Sequence, residues 1–166
     1  MPPDSGPAEL ERARQFLRRA VELSEEGVRH GRGGPFGAVV VRGQRIIGEG
    51  CNRVLCDQDP TAHAEIVAIR AAAAALRSFD LRGCEIFASS QPCPMCLAAI
   101  YWARIDRVYF ANTIEDAARI GFDDSLFYRE IALPIEQRSL PQVRVELPEA
   151  IRAFELWIAK PDRIPY

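Results

Sequence analysis

Hydrophobic and polar positions along the chain follow two periods, and the changes between them predict the order of the secondary-structure elements. From about residue 9 to residue 30, apolar positions recur every three or four residues, as in a helix with one buried face. The segments ‘PFGAVVV’ and ‘RIIGEG’ flank ‘RGQ’ and predict a hairpin of two strands. The alanine-rich segment 62–77 predicts a second long helix.

The later part of the chain alternates strand and helix patterns. ‘CEIFASS’ and ‘RVYFAN’ predict strands, with a helix in ‘PMCLAAIYWAR’ between them. The rest predicts a broken helix in 114–133, a last strand in ‘VRVEL’ and a last helix in ‘PEAIRAFELWIAK’. This order predicts a three-layer α/β/α domain with a central mixed sheet and a C-terminal helix. We expect residues 1–8 to be a flexible lead-in and residues 9–166 to form one domain.

Composition and charge narrow the classes of function. The chain has 23 acidic and 21 basic residues, a net charge of −2, which disfavours an electrostatic grip on nucleic acid. No apolar run approaches the roughly 20 residues that span a bilayer, and the N-terminus lacks the pattern of a secretory signal. Five cysteines, an odd number, fit reduced thiols better than a disulfide framework. We therefore expect a cytoplasmic protein with no nucleic-acid or membrane partner.

The stretch ‘TAHAEIVAIR’ places His63 and Glu65 two positions apart where a helical pattern begins. Only one other histidine, His30, is present, and it lies at the far end of the first helix. A first-turn glutamate is commonly just a solvated acid stabilised by the helix dipole. Next to a metal, the same carboxylate can take a proton from a water molecule and pass it on.

Thirty residues after His63, ‘PCPMC’ provides Cys93 and Cys96, again where a helix is predicted to start. A lone C-x-x-C is ambiguous, because it can be a redox pair, half of a structural zinc site or two buried small residues. Residues three apart in a first helical turn share a face, so both thiols can reach one metal. Thiolate sulfur and neutral imidazole are the ligands that zinc prefers.

Three protein ligands indicate a catalytic rather than a structural zinc site. Structural sites are normally closed by four side chains, whereas catalytic sites keep a position for water. Cys51 or Cys56 could close the site only if its loop folded over the metal. We expect those two residues and Cys84 to be buried small hydrophobes.

The complete pattern, H-A-E followed by P-C-P-M-C, resembles that of the zinc-dependent nucleobase and nucleoside deaminases of the cytidine/deoxycytidylate deaminase superfamily. The resemblance implies a cytidine-deaminase-like fold with one zinc ion per subunit, held by His63, Cys93 and Cys96. It also implies that Glu65 is the general acid and base. In these enzymes water replaces an exocyclic amine, which leaves as ammonia.

The wider sequence is similar to the small bacterial guanine deaminases. The similarity rests on ‘GGPFGAVVV’, ‘NRV’ before ‘DPTAHAE’, ‘PCPMCLAAIYWAR’, ‘GFDDSLFYREI’ and the terminal tyrosine, and it covers the chain from about residue 15. It implies conversion of guanine to xanthine and ammonia in purine salvage or catabolism. One departure is Gln91, where these enzymes usually have glutamate; we expect it to alter the surroundings of the ligands rather than the ligands.

This resemblance also assigns further site residues. Asp124 becomes a second catalytic carboxylate, although paired aspartates in a loop are more often helix N-caps. The implied substrate-binding residues are Asn52, Phe36, Ala64, Trp102 and Tyr166. Asn52 offers a donor and an acceptor to a ring edge, but it could equally be a turn asparagine. Phe36 and Trp102 could stack on a base, although aromatic residues at such places are more often core.

The resemblance further implies a homodimer in which the C-terminal segment, about residues 148–166, is exchanged and Tyr166 reaches the partner's pocket. Pro161 and Pro165 favour an extended path for this tail. A disordered tail is the alternative. Cytosine deaminase, tRNA adenosine deaminase and an inactive zinc-stabilised binding module remain alternative functions, and the intact Glu65 disfavours the last of these.

Overall fold

The computed structural model describes residues 6–165 of the chain. Its helices and strands, in chain order, are α1 (Pro7–Arg29), β1 (Gly37–Arg42), β2 (Arg45–Cys51), α2 (Val54–Asp57), α3 (Ala64–Leu76), β3 (Cys84–Ser90), α4 (Pro94–Trp102), β4 (Arg107–Asn112), α5 (Ile114–Arg119), α6 (Ser125–Ala132) and α7 (Arg152–Ala159). Short 3₁₀ turns occupy Ile135–Gln137 and Pro148–Ile151. None of the described helices is long and apolar enough to cross a lipid bilayer.

The predicted hairpin and the mixed sheet are confirmed. The sheet has the order β2-β1-β3-β4, in which β1 is antiparallel to both of its neighbours and β3 is parallel to β4. Strands β2, β3 and β4 therefore run in the same direction. Their carboxyl ends meet at one edge of the sheet, which is where ligands bind in open α/β sheets.

Alternating residues of the central strands build two apolar layers, one on each face of the sheet. Val39 and Val41 of β1 pack with Phe16 of α1 on one face. On the other face, Ala38 and Val40 pack against alanines of α3, namely Ala64, Ala68 and Ala72. A strand buried on both faces needs helices on both sides, so the three-layer α/β/α arrangement is confirmed.

Two glycines of β2 let α3 lie close to the sheet. A Cβ atom at Gly48 or Gly50 would collide with the backbone of α3; at Gly50 it would meet Ala64 O and lie 2.7 Å from Ala68 N. The clash partners are main-chain atoms, which cannot rotate away. The short distance between β2 and α3 therefore depends on glycine, and it fixes the position of the first turn of α3.

We expect Gly50→Ala to lower the free energy of unfolding by roughly 1–3 kcal/mol, the usual cost of overpacking. Chemical denaturation followed by circular dichroism measures this change. Gly6→Ala is the matched control, since a Cβ atom there has no heavy atom within 4 Å. Equal stability of the two variants would show that α3 can move away from β2 without cost.

Two predicted features differ from the structure in the described residues. The first helix begins at Pro7, two residues earlier than predicted, because proline is favoured in a first helical turn. The predicted strand ‘VRVEL’, residues 143–147, is wrong for the single chain, because these residues are not part of a sheet. A strand requires hydrogen bonds to a neighbour, and the described part of one chain offers this segment none.

Contacts between Cα atoms divide the chain into two compact units, Met1–Ser125 and Leu126–Tyr166. The first unit contains the sheet and both apolar layers. The second contains most of α6, the two 3₁₀ turns and α7, and none of its described residues is buried. The hydrophobic core of the described chain thus lies entirely in the first unit.

Candidate active site

The candidate site lies at the sheet edge where β2, β3 and β4 end, within the first unit. His63 is the residue immediately before α3, and Cys93 is the residue immediately before α4. Both helices begin at this edge, so the positive ends of both helix dipoles point toward the same place. This placement confirms that the two sequence clusters sit at helix starts.

Three side chains converge there. The Sγ atoms of Cys93 and Cys96 each lie 3.5 Å from Nδ1 of His63. The ligand atoms of all three residues lie within 4.8 Å of one another, and they are the only group of three or more metal-ligating side chains found among residues 6–165. Two sulfur atoms and one imidazole nitrogen form a donor set that suits zinc.

Hydrogen bonding within this cluster favours the thiolate, the form in which cysteine binds metal, for one of the two thiols. A hydrogen bond from Cys96 lowers the pKa of Cys93 to about 4, and the neighbouring His63 acts in the same direction. The same hydrogen bond raises the pKa of Cys96, and burial adds to the increase. The hydrogen bond to Cys93 raises the pKa of His63. The cluster therefore favours a thiolate at Cys93, the form of cysteine that binds metal.

Glu65 stands beside the cluster without belonging to it. Glu65 is only 7% exposed, although it lies in the first turn of α3. Burial raises the pKa of its carboxyl group. A solvated first-turn acid would be exposed, so the simple structural explanation for this glutamate does not hold. A buried carboxyl with a raised pKa exchanges its proton closer to neutral pH.

The cluster opens into a small cavity of about 40 Å³. Its lining includes Phe36, His63, Glu65, Ser90, Gln91, Cys93, Ala117, Phe122 and Asp124. A second cavity of about 300 Å³ shares Phe36, Ser90 and Ala117 with the first. Since ligand pockets typically have about 300–1,000 Å³, the second cavity provides the larger part of the room for a ring-sized ligand.

Aromatic side chains form one wall of the site. Phe36 and Phe122 meet edge to face, with ring centroids 4.9 Å apart. Gly34 lies against the same two rings, where a Cβ atom would come 3.0 Å from Phe122. Phe36 is thus placed beside the cluster, and Phe122 is an additional wall residue.

The two neighbouring aspartates have different environments. The carboxylate of Asp123 accepts a hydrogen bond of 2.9 Å from the backbone N–H of Ser125, at the start of α6. Asp124 lines the cavity beside His63 and Glu65, and burial raises the pKa of its carboxyl group. The helix-start role therefore falls to Asp123, which leaves Asp124 available to the site.

Asn52 and Ala64 lie close to this edge but outside the cavity lining. The side-chain oxygen of Asn52 accepts hydrogen bonds of 3.2 Å from the backbone N–H groups of Gly34 and Val54. That leaves only its amide nitrogen for a ligand. The side chain of Ala64 packs in the apolar layer under α3, so this residue can offer a ligand only its backbone.

Trp102 does not reach this cavity. It is the last residue of α4, six residues beyond Cys96, and a helix rises about 1.5 Å per residue, which places it about 9 Å further along the helix axis. It is 66% exposed and is not among the residues that line the cavity. Trp102 therefore does not line this cavity, and its role in binding a base stays a prediction. Tyr166 lies outside the described residues.

The other cysteines and His30 lie outside the cluster. Cys51 and Cys84 are buried, as predicted, but Cys56 is exposed, so its prediction as a buried residue is wrong. Cys56 lies in the short helix α2, which the surface pair Arg53 and Asp57 spans through two hydrogen bonds of 2.7 Å, and none of the residues of this helix is buried. His30 is exposed and binds the carbonyl oxygen of Glu26.

Sequence reasoning missed Phe122 and Ser90. Phe122 stands next to the paired aspartates in ‘GFDDS’, so its position beside Asp124 was the available signal. Ser90 is the last residue of β3 and lines both cavities. Its place at the carboxyl end of a central strand, two residues before ‘PCPMC’ begins, was a weaker signal.

A family model of the cytidine and deoxycytidylate deaminase zinc-binding region matches residues 10–112, which include the whole metal-ligand cluster and Glu65. The chain belongs to this deaminase family. The match confirms the family resemblance seen in the sequence, and zinc is the metal that the family's region binds. The Cys₂His cluster fits zinc by its donor atoms and by the low pKa of Cys93.

Relatives within the deaminase family include enzymes for different substrates. Guanine deaminase of Bacillus subtilis is 51% identical over 142 residues, covering 86% of this chain and 91% of that protein. Its crystal structure has a TM-score of 0.89 at 48% identity, covering 92% of this chain and 98% of the other. A tRNA-specific adenosine deaminase of Haemophilus influenzae is 38% identical over 116 residues, covering 66% of each chain.

Proposed function

We propose that the protein is a zinc-dependent guanine deaminase, which converts guanine and water to xanthine and ammonia. The observation that carries this proposal is the buried carboxyl of Glu65 beside a three-ligand Cys₂His cluster. A structural zinc site has no need of that carboxyl. The similarity to the guanine deaminase of Bacillus subtilis over most of both chains supports guanine as the substrate.

His63, Cys93 and Cys96 are the residues that would hold the zinc ion, one per subunit. Zinc bound by three side chains supplies a Lewis acid that lowers the pKa of water to about 7. Because no fourth ligand atom joins this cluster among residues 6–165, the donor set is that of a catalytic site.

Glu65 is the general base and then the general acid of the reaction. It accepts a proton from the attacking water as the water oxygen bonds to C2 of guanine, and it passes this proton to N3 as the C2=N3 double bond opens. It then takes the proton of the new C2 hydroxyl and donates it to the exocyclic nitrogen as the C2–N bond breaks and the C2 carbonyl forms, so that ammonia leaves and xanthine remains. Asp124 lines the same cavity and provides a second carboxyl group to assist the transfer to the leaving nitrogen.

The aromatic wall of the cavity and a nearby amide provide the contacts for the substrate. Phe36 and Phe122 provide a flat apolar surface for a base, and the free amide nitrogen of Asn52 can donate a hydrogen bond to a ring edge. A carbonyl oxygen or ring nitrogen of guanine would accept it. We place the reaction in the cytoplasm, in purine salvage or catabolism, where the free cysteines would stay reduced.

The decisive experiment measures ammonia release by the zinc-loaded protein from guanine, cytosine, adenine and their nucleosides, and inosine formation in a tRNA stem-loop. Guanine should give the largest kcat/KM among them. Faster turnover of cytosine, or of adenosine in the stem-loop, would assign the protein to another branch of the deaminase family. No turnover of any of these substrates would favour the inactive binding module.

We also propose that the protein is a homodimer with exchanged C-terminal segments. The described part of Leu126–Tyr166 is rich in apolar side chains and buries none of them. Within ‘VRVEL’, Val143 and Val145 are 83% and 78% exposed. The alternating sequence ‘VRVEL’ would gain hydrogen bonds as an added strand beside the edge strand β4 of the partner subunit. Exchange of identical segments would cover both sets of side chains.

Removal of residues 161–166 should impair guanine turnover much more than zinc content, because we expect Tyr166 to close the partner's pocket and exclude water. Steady-state kinetics and metal analysis measure the two quantities, and sedimentation measures the dimer. The single variant Tyr166→Ala tests the ring separately from the path of the tail. A truncated protein with unchanged kinetics would leave the tail without a role in catalysis.

A further inference from the structure

A cleft that is separate from both active-site cavities lies at the opposite end of the sheet from the candidate active site. It has a volume of about 520 Å³ and is lined by Arg42, Arg45, Ile46, Ile47, Ala75 and Leu76. The end of the β1–β2 hairpin forms one side, and the last turn of α3 forms the other. This volume lies within the range of small-molecule sites, about 300–1,000 Å³. The deamination chemistry uses none of these residues.

Two arginines face each other in this cleft. Arg42 and Arg45 are the last cross-strand pair of the hairpin, so their side chains project from the same face of the sheet. Like charges in directly opposite positions destabilise a strand pair. Neither guanidinium group forms an ion pair or a side-chain hydrogen bond within residues 6–165. The hairpin therefore ends in two adjacent positive charges.

Two other arginines at the same end of the sheet have carboxylate partners, whereas Arg77 and Arg104 form no ion pair within residues 6–165. Arg12 pairs with Glu85 at 2.6 Å, and Arg82 pairs with Asp80. The carbonyl end of α3 attracts positive charge, but that partial charge of about one half balances only part of one guanidinium. The cleft therefore keeps an excess of positive charge.

The remaining wall of the cleft is apolar. Ile47 and Leu76 are half-buried, and both pack against the apolar layer under α3. A ligand that fits must combine an anionic group with an apolar body. Guanidinium groups bind phosphate through paired, directional hydrogen bonds, which makes phosphate the anion that two neighbouring arginines recognise best.

We propose that this cleft binds a small organic phosphate, with the phosphate between Arg42 and Arg45 and the apolar body against Ile47 and Leu76. The site is separate from the deamination site. His63 and Leu76 lie at opposite ends of α3, and 13 helical residues span about 20 Å.

Phenyl phosphate is the simplest probe, because it joins one phosphate to one apolar ring. We expect calorimetric titration of the zinc-loaded protein to show tighter binding of phenyl phosphate than of inorganic phosphate or benzyl alcohol. The double variant Arg42→Gln/Arg45→Gln should weaken binding of phenyl phosphate at least about tenfold, since it removes the charge-assisted hydrogen bonds of both guanidinium groups to the phosphate. Guanine turnover of this variant should stay unchanged.

Arg14→Gln/Arg18→Gln is the matched control, because it removes the same charge from exposed positions on α1. This variant should keep wild-type affinity for phenyl phosphate. An equal loss in both double variants would show attraction by overall charge and overturn the proposal, as would the absence of binding to the wild type. A lower free energy of unfolding for Arg42→Gln/Arg45→Gln in the absence of phosphate would also contradict it, because the two arginines would then act by stabilising the C-terminal end of α3.

Discussion

Glu65→Gln is expected to keep its zinc and its fold and to lose most of its activity on guanine. Glutamine has nearly the same shape as glutamate but cannot accept the proton of water at neutral pH. General acid–base groups typically contribute about 10²–10⁴-fold to rate. We expect a loss at the upper end of that range because Glu65 serves more than one proton transfer. Ammonia release measures the loss, and metal analysis measures the zinc.

The control for this variant is Glu115→Gln. Glu115 is also a first-turn glutamate, at the start of α5, but it is exposed. If a first-turn carboxylate acted only through the helix dipole, both variants would lose a similar, small amount of stability and keep their activity. A Glu65→Gln protein that deaminates guanine at the wild-type rate would remove Glu65 from the mechanism.

Cys93→Ser is expected to lose both zinc and activity. A serine hydroxyl stays protonated and is a much poorer zinc ligand than a thiolate. Hydrogen bonds lower the pKa of Cys93, so its replacement removes a ligand that is readily deprotonated. We expect zinc affinity to fall by more than the about 10–100-fold that changes around a ligand usually cost. Competition with a chelating dye measures this affinity.

Cys56→Ser provides the comparison, because Cys56 is exposed and lies outside the ligand cluster. It should keep full zinc content and turnover. Zinc loss in Cys56→Ser, or full zinc affinity in Cys93→Ser, would contradict the ligand set. Added zinc should restore little activity to Cys93→Ser at concentrations that saturate the wild type.

The fold and the metal cluster were predictable because both are encoded locally. A strand that is buried on both faces is visible in the sequence as a short apolar run. A helix start is visible as a proline followed by a change in the spacing of the hydrophobic positions. Cys93 and Cys96 share one first helical turn, so the local pattern brings their thiols together. That His63 joins them was implied by the resemblance to the zinc-dependent deaminases. The hairpin was predictable for the same reason, since its turn lies between two apolar runs.

Residues whose positions depend on loop paths or on a neighbouring chain were not predictable in this way. Phe122 reaches Phe36 only through the path of the loop between α5 and α6. Trp102 has an aromatic ring suited to stacking, but its place at the far end of α4 removes it from the site of its own subunit. The segment ‘VRVEL’ alternates as a strand does, yet alternation does not provide the neighbour that a strand requires.

The residues that precede α3 and α4 have a second role that concerns local unfolding. Helix starts usually have a side chain that binds a free backbone N–H group, as Thr113 does for α5. His63 occupies that position at α3 and makes no such bond, because its imidazole turns to the two cysteines. At α4, Cys93 accepts a backbone hydrogen bond from Cys96. A missing cap costs a helix about 1 kcal/mol. Zinc bound to His63 would hold the start of α3 in place, so we expect hydrogen exchange in the first turn of α3 to slow as zinc occupancy rises.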